Sequence, residues 1–244
     1  MSYLYIGEFP QDISDLCWLE ELDLTYNNLR QLPEWIGNFS ELTVLHLDCN
    51  ELISLPDSIG NLSKLKKISL DNNRLHTLPE SFGNLSSLKF FYISETRLKG
   101  LPESFGNLKS LRELTIQESM PKGFYFPKTM KNLQSIKSVS LSAFAKVPDF
   151  VGELKELIDL DISHNKLYVL PDFIGNLKKL KTLNLHSTWN KELPKWVGDL
   201  KNLVELDISN NDIRVYPEMV KKLPRLKRFY DCYNIYNADN EGRH

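Results

Sequence analysis

The sequence predicts an α/β solenoid: a horseshoe with a parallel inner β-sheet and short 3-10 or irregular segments on its convex side. Three observations predict it. A phrase L-x-x-L-x-L-x-x-N-x-L opens at Leu19, with Leu22, Leu24, Asn27 and Leu29, and returns at Leu42, Leu65, Leu88, Leu111, Ile136, Leu157, Leu180, Leu203 and, degenerately, Leu226. The steps between these anchors are 23 residues, except for a 25 and a 21 in the middle. A second phrase, L-P-x-x-[IF]-G-N-L, keeps the same beat through Pro33, Pro56, Pro79, Pro102, Pro171, Pro194 and Pro217. Internal repetition at such a period implies units that bury a core only by stacking on one another.

Each element of the phrase has a physical reason. Leu22 and Leu24 alternate with polar residues at period two, as a strand with one buried face requires. Asn27, Asn50, Asn73, Asn165, Asn211 and Asn234 follow the strand, where a carboxamide can satisfy backbone groups of its own and a neighbouring repeat. Thr96, Ser119 and Thr188 hold the same slot with a hydroxyl. Proline ends the strand register and pre-sets the return turn. The glycines Gly37, Gly60, Gly83, Gly106, Gly152, Gly175 and Gly198 are expected to supply unusual backbone angles there. The next leucine, such as Leu62 or Leu85, plugs the convex side.

The 23-residue phrase resembles the Ras-group type of leucine-rich repeat, found in plant intracellular, animal signalling and bacterial proteins. The resemblance implies a leucine-rich-repeat horseshoe and binding to protein partners. It carries over no catalytic residue.

A single domain over residues 1–244 is expected, with 1–18 a partial repeat or N-terminal cap, 19–225 full repeats and 226–244 a C-terminal cap and tail. Ile6, Phe9, Pro10, Ile13 and Leu16 read as the back half of a repeat whose strand is missing, which suggests a cut chain, an unusual short cap, or an end that pairs with another copy. Asp231 breaks the last strand pattern, before Tyr233 and Tyr236. The middle is irregular: Met120 to Pro127 runs two residues long, and Ser142 to Pro148 runs two short, placing Phe144 at or near the ladder position.

Composition excludes several classes. The 244 residues carry a net charge of −2, which gives no global pull toward nucleic acid or acidic membranes. Cys17, Cys49 and Cys232 are too few and too scattered for a disulfide framework or metal knuckle. No signal peptide is readable at the start, and no run of about 18 apolar residues suggests a membrane span. The cytoplasm is the expected compartment unless a leader was removed. His46, His76, His164, His186 and His244 form no evident metal set, and no phosphate-cradling or hydrolase motif occurs. Neither cofactor, metal nor catalytic residue is expected.

The remaining expectation is a non-enzymatic protein–protein interaction module whose interleaved strand residues meet a protein partner on the concave sheet face. Phe90 and Tyr92, with His46 two repeats away, form an aromatic spot; aromatic anchors of this kind dominate interfaces. Asp159, Asp161, Glu205 and Asp207 form an acidic patch, with Thr182 and Asn184 between the acids. Asp48 and Asp71 are direct neighbours, which invites a basic partner loop or leaves them as solvated surface. Secondary surfaces are Phe124, Tyr125 and Phe126, three adjacent aromatics, and Phe150, Phe173, Trp196 and Met219, one position in four repeats. The second set either stacks half-buried or mediates self-association of an otherwise monomeric chain. Two other readings stand beside the module: the recognition part of a larger ligase or GTPase, and a secreted or surface bacterial adhesin.

Overall fold

Short apolar-alternating segments, each followed by a polar turn and a proline, fold as the spacing predicts. The computed structural model describes residues 13–117, 123–215 and 217–235. The chain forms two compact units, one up to Ile136 and one from Lys137.

In the first unit, β1 (Glu21–Asp23), β2 (Val44–His46), β3 (Lys67–Ser69), β4 (Phe90–Ser94) and β5 (Glu113–Gln117) pair in parallel, each with the next. Every partner lies 23 residues on, as in Leu22 with Leu45 or Phe91 with Leu114. In the second unit, β6 (Ser138–Leu141), β7 (Asp159–Asp161), β8 (Thr182–Asn184), β9 (Glu205–Asp207) and β10 (Arg228–Tyr230) pair in the same way. The strand leucines point into the core: Leu24, Leu45, Leu114, Leu160 and Leu206 are wholly buried. Each such side chain contributes about 1.5–3 kcal/mol by leaving water.

Between strands the chain returns through five-residue 3-10 segments such as Glu34–Asn38, Asp57–Asn61 and Asp172–Asn176. The proline before each but the last is extended, as at Pro56 (φ −70°, ψ 155°), so it turns the chain out of the strand register. Ile59, Leu62 and Phe82 close the core from this side with no exposed surface.

The asparagine ladder takes its expected place. Asn50 Nδ2 donates to Leu24 O at 2.9 Å and Leu47 O at 3.0 Å, while its Oδ1 accepts from the amides of Asn27 at 3.1 Å and Leu29 at 2.9 Å. All four hydrogen-bonding positions of the carboxamide are used, which is what permits its burial. Asn73 and Asn211 repeat the pattern. Phe144 does occupy the ladder slot: its amide donates to Asn165 Oδ1, and its ring is half-buried. Ser119, the long segment from Met120 to Lys122, the start as far as Pro10, and Tyr236 lie outside the described residues.

The glycine expectation is corrected. The repeat glycines do not adopt left-handed angles; among the described glycines only Gly123 does. They are needed because the next repeat sits directly against them: a Cβ on Gly60 would stand 2.4 Å from the Ser81 carbonyl oxygen. Left-handed backbone falls instead on the residue before the ladder slot, at Tyr26, Cys49, Asn72, Glu95, His164, Ser187, Asn210 and Tyr233.

Candidate partner-binding face

The side chains that alternate with the buried strand residues face solvent in both units. On β4 this alternation is complete: Phe91 and Ile93 are wholly buried, while Phe90, Tyr92 and Ser94 stand partly exposed. Phe90 is in register with Lys67 on one side and Glu113 on the other, and Tyr92 lies between Ser69 and Thr115. β3 therefore separates the aromatic pair from His46, and the immediate neighbours are charged. Lys67 Nζ lies 5.6 Å from the Tyr92 ring centroid, within cation–π range. Burial, then the charge of Glu113 and a hydrogen bond to it, push the Tyr92 phenol up to about 12. The spot is thus two aromatic rings held between a cation and an anion.

His46, Asp48 and Asp71 form a second group in the first unit. Ser69 Oγ donates to Asp48 Oδ2 at 2.6 Å, and His46 Nδ1 lies 2.9 Å from the same hydroxyl and 3.8 Å from Asp48. The Asp71 amide donates to Asp48 Oδ1 at 2.9 Å. Neutral donors from the sheet itself answer Asp48, so the pair of acids does not depend on an outside cation for its presence. Burial raises the Asp71 carboxyl above its usual range; hydrogen bonds from Ser94 oppose this and the Asp48 charge adds to it.

In the second unit Asp159, Thr182 and Glu205 lie side by side, as do Asp161, Asn184 and Asp207. They line a depression of about 150 Å³. Two features depend on side-chain geometry. Arg228 binds Glu205 through Nε at 2.8 Å and a second nitrogen at 2.5 Å, so one of the four acids is already neutralised. Asp161 and Asp207 each accept the amide two residues on, from Ser163 and Ser209, as Asx turns that end the strand. These carboxylates shape the backbone as well as the surface. Among the described residues no group of three or more His, Cys, Asp or Glu could hold a metal ion, and no helix is long and apolar enough to cross a membrane.

The secondary surfaces are placed as follows. Phe124 and Phe126 pack together, with ring centroids 4.8 Å apart, while Tyr125 points outward and donates to Glu103. Phe173, Trp196 and Met219 each lie over the glycine of the preceding repeat, Gly152, Gly175 and Gly198, where the first unit uses Ser58, Ser81, Ser104 and Thr129. Phe150 is buried and the other three are partly so. The row is packed against its own neighbours.

Parallel strands at a 23-residue register, an asparagine ladder and 3-10 returns define a leucine-rich-repeat solenoid. Family models agree: one described as "Leucine-rich repeat region" matches residues 57–168, and one described as "Leucine Rich Repeat" matches 18–39, 41–62 and 202–223. The chain belongs to the leucine-rich-repeat proteins. No curated protein matches it in sequence. Among solved structures, a leucine-rich-repeat protein of Leptospira interrogans is 29% identical, with 96% of this chain and 71% of that one covered, at a TM-score of 0.70. The plant peptide hormone receptor RGFR1, in complex with RGF2, is 28% identical over 93% of this chain and 42% of the receptor chain, at 0.62. The Arabidopsis receptor kinase HAESA, in complex with the peptide hormone IDA and the co-receptor SERK1, is 25% identical over 90% and 39%, at 0.68. The chain thus spans less than half the length of either receptor chain.

Proposed function

We propose that this chain is a non-enzymatic interaction module that receives a protein partner on the solvent face of its strands. The observation that carries the reading is the aromatic pair on β4, half-exposed where the fold has no core use for it and framed by Lys67 and Glu113. Exposed aromatics in a polar setting supply large contact area at low entropic cost, as interface anchors do. The peptide complexes of the two plant receptors support the same reading for a related fold. Asp48 and Asp71 in the first unit, and Asp159, Asp161, Glu205 and Asp207 in the second, would supply polar contacts to the partner.

The test is affinity capture from the native source with the intact chain and with the Phe90→Ala/Tyr92→Ala double variant. A partner retained by the first and lost by the second supports the reading. An identical set of captured proteins rejects these anchors.

A further inference from the structure

In the turn that follows each strand, the two units are built differently. In the first unit this flank is charged and self-satisfied: Glu51 pairs with Arg30 at 3.4 Å and Arg74 at 3.1 Å. In the second unit Trp189 stands at the position of Glu51 and Arg74, and Tyr168 at that of Arg30 and Ile53, 45% and 52% exposed, while Tyr233, 86% exposed, holds the position that carries Tyr26 in the first unit. Trp189 and Tyr168 both hold left-handed backbone (φ 62° and 55°), at turn positions where most repeats do not. Beside Trp189, a buried asparagine, Asn190, stands in the slot that most other repeats fill with leucine or isoleucine, and its Oδ1 has no hydrogen-bond partner. Local rules broken together in this way mark functional surfaces more often than packing ones.

Lys166, Trp189, Asp212 and Ile235 occupy one position in four successive repeats. Lys166 Nζ lies 4.9 Å from the Trp189 ring centroid, and the Tyr168 ring meets the indole edge-on at 5.9 Å. The next repeats along, beside Trp189, form a depression of about 360 Å³, bordered by Trp189, Tyr233 and Ile235, with Asn210 and Asp212 among its polar lining. Trp189 and Tyr233 are two repeats apart, roughly 10 Å at a strand spacing of about 4.8 Å. The site therefore offers two aromatic platforms with an amide and a carboxylate between them.

That donor set selects among ligands. The carboxylate of Asp212 opposes a phosphate or a carboxylate ligand, which removes nucleic acid and acidic peptides. An apolar protein anchor would leave the polar lining without partners, at a desolvation cost. A neutral polyol with one apolar C–H face satisfies both demands: its C–H face lies on an aromatic ring while its hydroxyls donate to Asp212 and accept from Asn210. We propose that this flank of the second unit is a saccharide-binding site for a neutral pyranoside, with Trp189 and Tyr233 as stacking platforms and Asp212 and Asn210 as hydroxyl partners. It is separate from the strand face and does not depend on it.

The test applies the full chain to an array of neutral and charged glycans and follows each hit by tryptophan fluorescence. The expected result is binding of neutral pyranosides with a fluorescence change, weakened about tenfold or more in Trp189→Ala and in Asp212→Asn. Trp189→Phe should retain most of the binding, and Phe90→Ala/Tyr92→Ala all of it. Tyr233→Ala, a change at a highly exposed ring, serves where Trp189→Ala lowers stability. Absence of any glycan bound above background, or hits indifferent to both Asp212→Asn and Tyr233→Ala, overturns the proposal. A mass in solution that falls from dimer to monomer on Trp189→Ala also overturns it, by assigning the surface to a second copy.

Discussion

The backbone amide of Asp71 donates to the side chain of Asp48, so two acids on adjacent repeats, each just past its strand, are joined through a neutral hydrogen bond. Asp71 carries the cost of the arrangement. One of its carboxylate oxygens is buried without a partner, and burial leads the rise in its affinity for a proton. A carboxyl raised in the folded state binds its proton more tightly folded than unfolded. Its stabilising share is full below the ordinary value of 3.8 and is lost as pH climbs through the raised one. Asp71→Asn should therefore melt higher than the parent at neutral pH, with a flatter dependence on pH just above 3.8. Thermal melts across that range check it; an unchanged slope would rule it out.

Tyr92 titrates in the opposite range. Its phenol should stay protonated above the ordinary value of 10.0 and release its proton only at about 12. The sign is that of any raised group: the contribution is complete below the ordinary value and disappears as pH rises through about 12. Ultraviolet titration of the parent and of Tyr92→Phe isolates this phenol. Glu113→Gln should bring it down toward the usual value, and a curve identical to the parent's would remove Glu113 as a cause.

Asn50→Leu should be costly despite the apolar surroundings. The change removes the acceptor of two buried amides, of Asn27 and Leu29, while the carbonyls of Leu24 and Leu47 keep Asn27 and Asn73 as donors. Each buried orphan costs about 1–3 kcal/mol, so a loss of at least about 2 kcal/mol is expected in urea unfolding. A loss below about 1 kcal/mol would show that the ladder is dispensable.

Gly60→Ala tests the close approach of successive repeats. The added methyl would stand 2.4 Å from a backbone oxygen of the next repeat, which no side-chain rotation relieves. Overpacking of this kind costs about 1–3 kcal/mol. The urea midpoint should fall with an unchanged slope, whereas a neutral effect would mean that the repeats slide apart freely.

The expectation of one domain over 1–244 is a statement about cooperativity. Repeats stabilised by their nearest neighbours unfold together when the coupling between them is strong. Calorimetry on the intact chain should then give a single transition. Two separated transitions would show that the units ending at Ile136 and beginning at Lys137 unfold independently.

Much of the fold was legible because it rests on period alone. Leu22, Leu45 and Asn50 repeat at fixed spacing, and stacking follows from that spacing. What was missed depends on distance and rotamer. The grip of Arg228 on Glu205 requires side-chain geometry. The glycines were identified correctly and explained wrongly, since sequence does not distinguish an unusual angle from a close neighbour. The framing of Tyr92 by Lys67 and Glu113 appears only across three strands. Trp189 lies in a turn, outside the strand alternation that marks the partner face. Its signal in the sequence is Asn190, in a slot that most other repeats fill with leucine or isoleucine.

The ladder has a consequence for how such a chain can change length. Asn50 and Asn73 each bind a carbonyl three residues back in their own repeat and another 26 residues back in the one before. Excising or duplicating one whole 23-residue cassette within the first unit leaves every carboxamide in phase with a correct acceptor. An indel between a strand leucine and its ladder asparagine throws that carboxamide out of phase at once, while the return loops take up small differences: Asn165 still binds Leu141 O, 24 residues back. Gain or loss of whole cassettes is thereby the change in length that the chemistry of this molecule tolerates best.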